Sequence, residues 1–377
     1  MKANVVIIGG GITGISIAYW LVKMGIKDII VFEESYLGSG STFKCATGIR
    51  ASFTTEEHIV LMKYSIDLWK KLSEEHGFPY LRGGYLWLLT SEEQVKRFEK
   101  IREYQNSLGV PTRLISVEEI KRIVPSIREN GLIAALHDPL AGKACPFEAL
   151  HSLAGYIKAH GGKIYTNTKV DEMIVSHGEV KGVKVSNGIV ESSTVVIAAG
   201  YKSREVASTA GLDLPLHNLP RHIIITESYN RLFDPLLINV ATGDYIVQTF
   251  DGGFIMGVNL TEEHDIPLTP RMECLNKAVK IWVKYFPWLT RVHVLRYWMG
   301  YYVMSPDHHP ILGPVDEIKG LYLAVGFSGH GFMMAPIVGK VLAEWIITGK
   351  PSVKQAENLT LKRIEEGRLI HETAVFG

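Results

Sequence analysis

Cysteine is scarce in this chain of 377 residues: Cys45, Cys145 and Cys274 are the full complement, and no two of them form a C-x-x-C pair. That excludes a disulfide framework and a zinc ribbon, and it suits a reducing compartment. An excess of either charge is missing too. The 40 Lys and Arg are balanced by 39 Asp and Glu, a formal net charge of +1, so nothing resembles the broad positive field that draws a protein onto nucleic acid. No apolar stretch approaches the ~20 uninterrupted residues of a membrane helix. The first apolar run begins straight after Met1–Asn4 and is broken by glycines within a few positions, so no signal peptide is expected. Glutamine is rare beside abundant Ile, Lys and Glu, a balance that leans towards a thermophile. His308 and His309 are adjacent but have no third ligand at a metal-binding spacing, so no metal is expected. These absences predict a cytoplasmic protein with no nucleic-acid partner and no membrane span.

Apolar residues are plentiful, at 46%, enough for two domains or one large domain with another inserted into it. Residues 5–34 read VVIIGGGITGISIAYWLVKMGIKDIIVFEE. A short apolar run is followed by glycines, then by apolar residues at helical spacing, then by a second short run: a βαβ unit. Gly9, Gly11 and Gly14 occupy the G-x-G-x-x-G positions, where they serve a tight turn, the approach of a pyrophosphate and helix–strand packing. The N–H groups of Ile12 and Thr13 open the helix towards that phosphate. Glu33, with Glu34 behind it, ends the second strand where a carboxylate accepts hydrogen bonds from ribose hydroxyls.

A nicotinamide domain would continue with further βα units, and this chain does not. A turn-rich stretch, GSGSTFKCATGIRASF, occupies 38–53. Helices are predicted from about His58 to His76, over 92–108, over 116–125 with a Ser116/Glu119 capping box, from 147, and over 269–286. A strand is predicted over 83–91. Short strands separated by Gly and Asn-Gly turns then lead to the apolar TVVIAAG at 194–200. Near the far end, GFSGHGFMMAP at 326–336 sits between a strand, GLYLAV, and a helix, IVGKVLAEWII. The mixed-charge stretch LKRIEEGRLIHETAVFG, 361–377, reads as a solvated terminal helix, with docking to a partner as its other use.

GGGITG with Glu33, the loop ending GIR, TVVIAAG, and SPDHHPILGP with GLYLAVGFSGHGF together resemble the D-amino-acid oxidase and sarcosine oxidase family of FAD oxidoreductases. Within it the chain is similar to the β subunits of archaeal dye-linked L-proline dehydrogenase and of heterotetrameric sarcosine oxidase. The resemblance implies an α/β fold: a Rossmann-like FAD-binding domain built from discontinuous segments, 1–82, 142–217 and 298–377. An inserted α+β substrate domain, 83–141 and 218–297, would carry a mostly antiparallel sheet.

The resemblance also implies site residues. Gly9, Gly11, Gly14 and Glu33 would hold the ADP half of a noncovalent FAD. Ser41, Thr42, Ala46, Thr47 and Gly48 would line the flavin ring and ribityl chain, and Val170, Ala199 and Gly200 would meet the nucleotide. Gly329, His330, Gly331, Phe332 and Met333 would start a helix beneath the flavin's pyrimidine edge, where backbone donors favour the charge of the reduced ring. Arg50 would hold a substrate carboxylate by a two-pronged contact. His330 and Tyr302, with His222 and Tyr245 beside them, are candidates to orient the amine.

Gly300 stands where monomeric relatives attach flavin through a cysteine. Ile255–Met256 and Met333 stand where relatives carry lysines, and CPFEAL at 145–150 lacks a flavin-linking histidine. The expected protein is a dehydrogenase of a secondary amino acid, L-proline first. It would act with an α subunit and an electron acceptor, and any FMN shared with that partner would be noncovalent. A stand-alone oxidase of sarcosine, glycine or a D-amino acid, and a noncatalytic flavin-binding subunit, are the alternatives.

Overall fold

The computed structural model describes residues 1–374, so the last three residues of the 298–377 segment and of the charged tail lie outside the described part. The opening strand Val5–Ile8 lies inside a six-stranded sheet, between Val195–Ile197 and Ile29–Phe32. Lys163–Tyr165 extends one side and Leu321–Val325 the other, all parallel, while Ile311–Pro314 closes the edge antiparallel. The runs VVII, IIVF and VVI are buried along their whole length, as strands covered on both faces must be. This sheet therefore draws on residues more than 300 positions apart.

The helix Ile12–Lys23 follows the first strand, and Gly331–Thr348 follows the last parallel one. They pack against each other where Gly339 meets Ser16; a Cβ on Gly339 would come within 2.4 Å of the Ser16 hydroxyl and 2.6 Å of its backbone. By length and composition alone Gly331–Thr348 could cross a membrane, but it is mostly buried against Ile12–Lys23 and Glu56–His76 and serves as a core helix.

An antiparallel meander, Val170–Ser176, Glu179–Val185 and Gly188–Glu191, stands beside the parallel sheet. The other large layer is an eight-stranded sheet built from 80s–130s strands and from strands between 217 and 304. All its pairings are antiparallel except Leu236–Asn239 against Tyr85–Leu89. Glu273–Tyr285 packs on its outer face. Its strand Val294–Met304 is continuous across the boundary expected at 297/298.

Helices form at Glu56–His76, Glu92–Ser107, Val117–Ile123 and Pro146–Ala159, and Ser116 and Glu119 make the reciprocal capping box. The charged tail departs from expectation. Among its described residues only Lys362–Glu365 is helical, and beyond it the chain turns inward. Arg363 is buried because its guanidinium binds both oxygens of Asp307, at 2.8 and 2.9 Å, and the carbonyls of Leu359, Thr360 and His309. Glu372 is buried as well.

Candidate active site

One elongated cleft runs between the two large sheets. Gly9, Gly11, Glu33 and Val170 line one end, and Gly48, Arg50, Tyr245 and His330 the other. At the first end Gly9 has φ +115°, and a Cβ there would lie 2.2 Å from the Ala198 carbonyl oxygen, so only glycine fits the turn. Ile12 and Thr13 line the cleft from the first turn of their helix, which has neither a side-chain cap at Gly11 nor an acidic residue. Its N-terminal dipole thus opens on the cleft with no carboxylate of its own. Thr42 Oγ1 accepts from Ile12 N at 3.0 Å and ties the turn-rich loop to this helix.

Glu33 faces the cleft from the end of its strand, its carboxylate fixed by Gly10 N at 2.8 Å, Ser35 N at 2.9 Å and Ser39 Oγ at 3.2 Å. Glu34 also lines the cleft and is paired with Lys202 at 2.8 Å. Ala199 and Gly200 complete this end. Gly14 stays outside: its α-carbon packs on the Gly9 carbonyl, where a Cβ would approach to 2.1 Å, so its part is to let helix and strand meet.

Ser41, Ala46 and Thr47 line the middle of the cleft, and Gly48 leads from them to its far end, with Thr47 held at φ +65°, a conformation that costs a non-glycine residue energy. Opposite them, Gly329, Gly331, Phe332 and Met333 line the cleft around the start of Gly331–Thr348, which again lacks a side-chain cap and a first-turn acid. Two helix starts from opposite ends of the chain, neither capped by its own N-cap side chain, therefore open on one cleft, the first with Thr42 on one of its N–H groups.

At the closed end Arg50 is 3% exposed, with its guanidinium 3.7 Å from the Phe53 ring and 4.9 Å from that of Trp87. It donates to Ser52 O at 2.7 Å and to Ala374 O, and it lies 3.5 Å from His330 Nε2. Burial pulls its pKa down to about 10. His330, the residue preceding the helix, is pushed well towards its neutral form by burial, with His58 and the Arg50 guanidinium adding to the effect, and its Nδ1 has no partner among the described residues. Tyr302 hydrogen-bonds Tyr245, and burial raises both phenols, as it does Tyr85 beside them. Each ring lies where a glycine leaves room: Tyr302 on Gly329, Tyr245 on Gly257 and Tyr85 on Gly48.

The sequence reading missed several participants. Strand His217–Thr226 alternates its faces, so Arg221 and Ile223 point into the cleft while His222 points away from it, buried with both nitrogens unpartnered. His222 is thus withdrawn as a residue that orients the amine, and its neighbour Arg221 takes its place in the cleft. Arg221 donates to Thr261 O at 3.1 Å and pairs with Glu262 at 3.3 Å. Lys44 also lines the cleft, its pKa lowered by burial, although the two lysine positions of relatives are empty of lysine.

Behind Arg50, His58, His309 and Glu372 lie together, all buried, which the sequence spacing around His308-His309 did not foretell. The Thr55 hydroxyl already bridges His309 Nε2 and Glu372 Oε2, at 2.9 Å to each.

Residues 4–345 match the family described as FAD dependent oxidoreductase, and the chain belongs to that family. It is similar over almost its whole length to the L-proline dehydrogenase of P. horikoshii, at 40% identity and a TM-score of 0.92, with 98% of this chain and 99% of that one covered. The sarcosine oxidase subunit beta of Arthrobacter sp is 27% identical, with 98% of this chain and 93% of that protein covered. Other relatives are longer. The chain spans 42% of the pyruvate dehydrogenase phosphatase regulatory subunit of Mus musculus and 43% of the dimethylglycine dehydrogenase of Rattus norvegicus, each at 27% identity.

Proposed function

We propose that this chain is a noncovalent FAD-dependent dehydrogenase that oxidises the C–N bond of a secondary amino acid, L-proline first. It would work in the cytoplasm as the catalytic β subunit of a hetero-oligomer that passes electrons to a further carrier. The observation that carries the reading is the cleft: an elongated channel on which two helix N-termini open without an acidic residue in their first turns, ending at a buried arginine and a ring of tyrosines. Similarity to an L-proline dehydrogenase at 40% identity supports the substrate class.

In this reading Gly9, Gly11, Ile12, Thr13 and Glu33 hold the ADP half of FAD, and Thr42, Thr47, Gly48 and the Gly329–Met333 turn hold the flavin half. FAD bound there supplies a two-electron acceptor for the hydride on the carbon that bears the amine. The segments 1–82, 142–217 and 298–377 serve the cofactor, and 83–141 with 218–297 serve the substrate.

Arg50 binds the substrate carboxylate with the face of its guanidinium fork not used by Ser52 and Ala374. Tyr245 and Tyr302 frame the ring, and burial keeps both protonated as donors. Neutral His330 accepts a hydrogen bond from the amine and adds no cation beside it. The closed end is lined by apolar and aromatic groups, which excludes water from the imine product. An FMN, where one is present, would be shared noncovalently with the partner subunit.

Arg50→Ala tests the reading in the holoenzyme. The KM for L-proline is expected to rise by about a hundredfold, the loss of one buried charge-assisted contact. Unchanged turnover would remove Arg50 from substrate binding. That result would favour a noncatalytic flavin-binding subunit, a reading supported by the relative named as a regulatory subunit. Lys44 in the cleft supports the remaining alternative, an oxidase, because a cation near reduced flavin favours transfer to oxygen. Rapid peroxide formation by the isolated chain would establish it.

A further inference from the structure

The segment Arg368–Ala374 has no regular secondary structure, yet it carries one of the most tightly held carboxylates in the molecule. Glu372 is 1% exposed. Both its oxygens lie 3.1 Å from Thr54 N; Oε1 also accepts from the Thr54 hydroxyl and Oε2 from the Thr55 hydroxyl. Oε1 further accepts from Ala374 N at 2.8 Å, and His58 Nδ1 lies 3.4 Å from Oε2. On the main chain, Glu372 N donates to Asp307 O at 3.1 Å and His308 Nδ1 lies 3.0 Å from Glu372 O.

These contacts join two pieces that both end on Arg50. Thr54 and Thr55 belong to the loop that carries Arg50, Ser52 and Phe53, while Ala374 supplies the carbonyl that accepts from Arg50. Glu372 therefore joins the loop beneath the guanidinium to the residue whose carbonyl accepts from it, while Asp138 Oδ2 holds the same loop nearer Arg50, accepting from Ala51 N at 3.1 Å and Ser52 N at 3.0 Å. No carboxylate pairs with Arg50 directly among the described residues, so two buried carboxylates serve as counter-charges near it: Asp138 beside its loop, and Glu372 through His58, Phe53 and His330. Burying an arginine without a partner is costly, and fixing it by carbonyls keeps its remaining donors aimed into the cleft.

We propose that Glu372 is a positioning residue for the carboxylate subsite: it clips the Arg368–Ala374 segment to the Arg50 loop and thereby presents Arg50 to an anionic substrate. The proposal rests on the assignment of Arg50 to carboxylate binding. It concerns recognition of the anion and leaves hydride transfer untouched.

The test compares full-length, FAD-loaded Glu372→Gln and Arg50→Ala with the unaltered chain. Two probes are used: cyclopentanecarboxylate, which has the anion and no amine to oxidise, and pyrrolidine, which has the amine and no anion. Calorimetric Kd values, the KM and kcat for L-proline, and Tm are measured. In Glu372→Gln the carboxylate Kd and the KM are expected to rise about tenfold, as loss of a charged hydrogen bond would give, with kcat and the pyrrolidine Kd unchanged. Equal weakening of both probes would make the effect merely structural and overturn the proposal.

An unchanged carboxylate Kd in Glu372→Gln, with a raised one in Arg50→Ala, would also overturn it while leaving Arg50's assignment standing. No change in Arg50→Ala would remove both. Should Glu372→Gln fail to fold, Thr54→Val removes one arm of the same clip. The same selective rise is expected there, and its absence overturns the proposal.

Discussion

At the scale of single residues, the closed end of the cleft is shaped by what three glycines lack. Tyr302 would stand 2.5 Å from a Cβ on Gly329, and Tyr245 only 2.1 Å from one on Gly257. Gly329 also has φ +91°, so a side chain there is disfavoured twice. Gly329→Ala is expected to cost about 1–3 kcal/mol of stability and to raise the KM for L-proline by displacing Tyr302. Thermal denaturation and steady-state kinetics with a dye acceptor check both halves; unchanged KM would show that Tyr302 does not frame the substrate.

Arg221 and His222 show how finely such sites are divided. Neighbours in a strand face opposite ways, so one of the pair reaches the cleft and the other enters the layer beneath it.

At the scale of elements, two contacts hold the ends of the chain together. The first is the crossing of Ile12–Lys23 and Gly331–Thr348 at Ser16 and Gly339. Gly339→Val should force these helices apart, lowering Tm and weakening FAD together, because both helix starts open on the cleft. Denaturation with and without added FAD measures this, and an unshifted Tm would contradict it. The second contact is the Asp307–Arg363 pair, with His309 and Glu372 alongside.

Burial pushes the Asp307 carboxyl up, but the hydrogen bonds and charge of Arg363 prevail and hold it down to about 2. Burial, with His58 nearby, lowers His309 to about 3. Both folded values lie below the unfolded ones, ~3.9 for Asp and ~6.5 for His. The unfolded chain then binds more protons in acid, so stability is present above these unfolded values and is lost as pH falls. Tm should therefore decline from about pH 6 towards pH 4 through the imidazoles that burial lowers, His309 and His330 foremost, with Asp307 adding its share below about pH 4. A flat Tm across that range would refute the assignment. Arg363→Met should destabilise the protein by about 3–5 kcal/mol by leaving Asp307 charged and alone, as measured by denaturant unfolding.

At the scale of the whole molecule, the fold brings the cleft to the seam between a mostly parallel sheet and a mostly antiparallel one. L-proline added under anaerobic conditions should bleach the flavin, and oxygen should restore its colour slowly compared with a dye. The stopped-flow ratio of those two reoxidation rates tests the dehydrogenase reading. A rapid return of colour in oxygen would direct attention to Lys44 as the cation that serves it.

Much of this architecture was legible from local pattern. Apolar runs of strand length, glycines at fixed offsets, the Ser116 capping box and the acid at Glu33 all act within a few residues of themselves, so VVIIGGGITG and GFSGHGF announced a turn at each end of the cleft. What only the tertiary structure decided lies in contacts across hundreds of positions. Arg221 was chosen over His222 by the face of a strand, Lys44 was carried into the cleft by its loop, and Glu372 was drawn inward from a stretch that reads as solvated. Backbone preference is a property of neighbours in sequence and can be read from them. The partner of a buried charge is set by which distant segments the core brings together, and no local pattern encodes that.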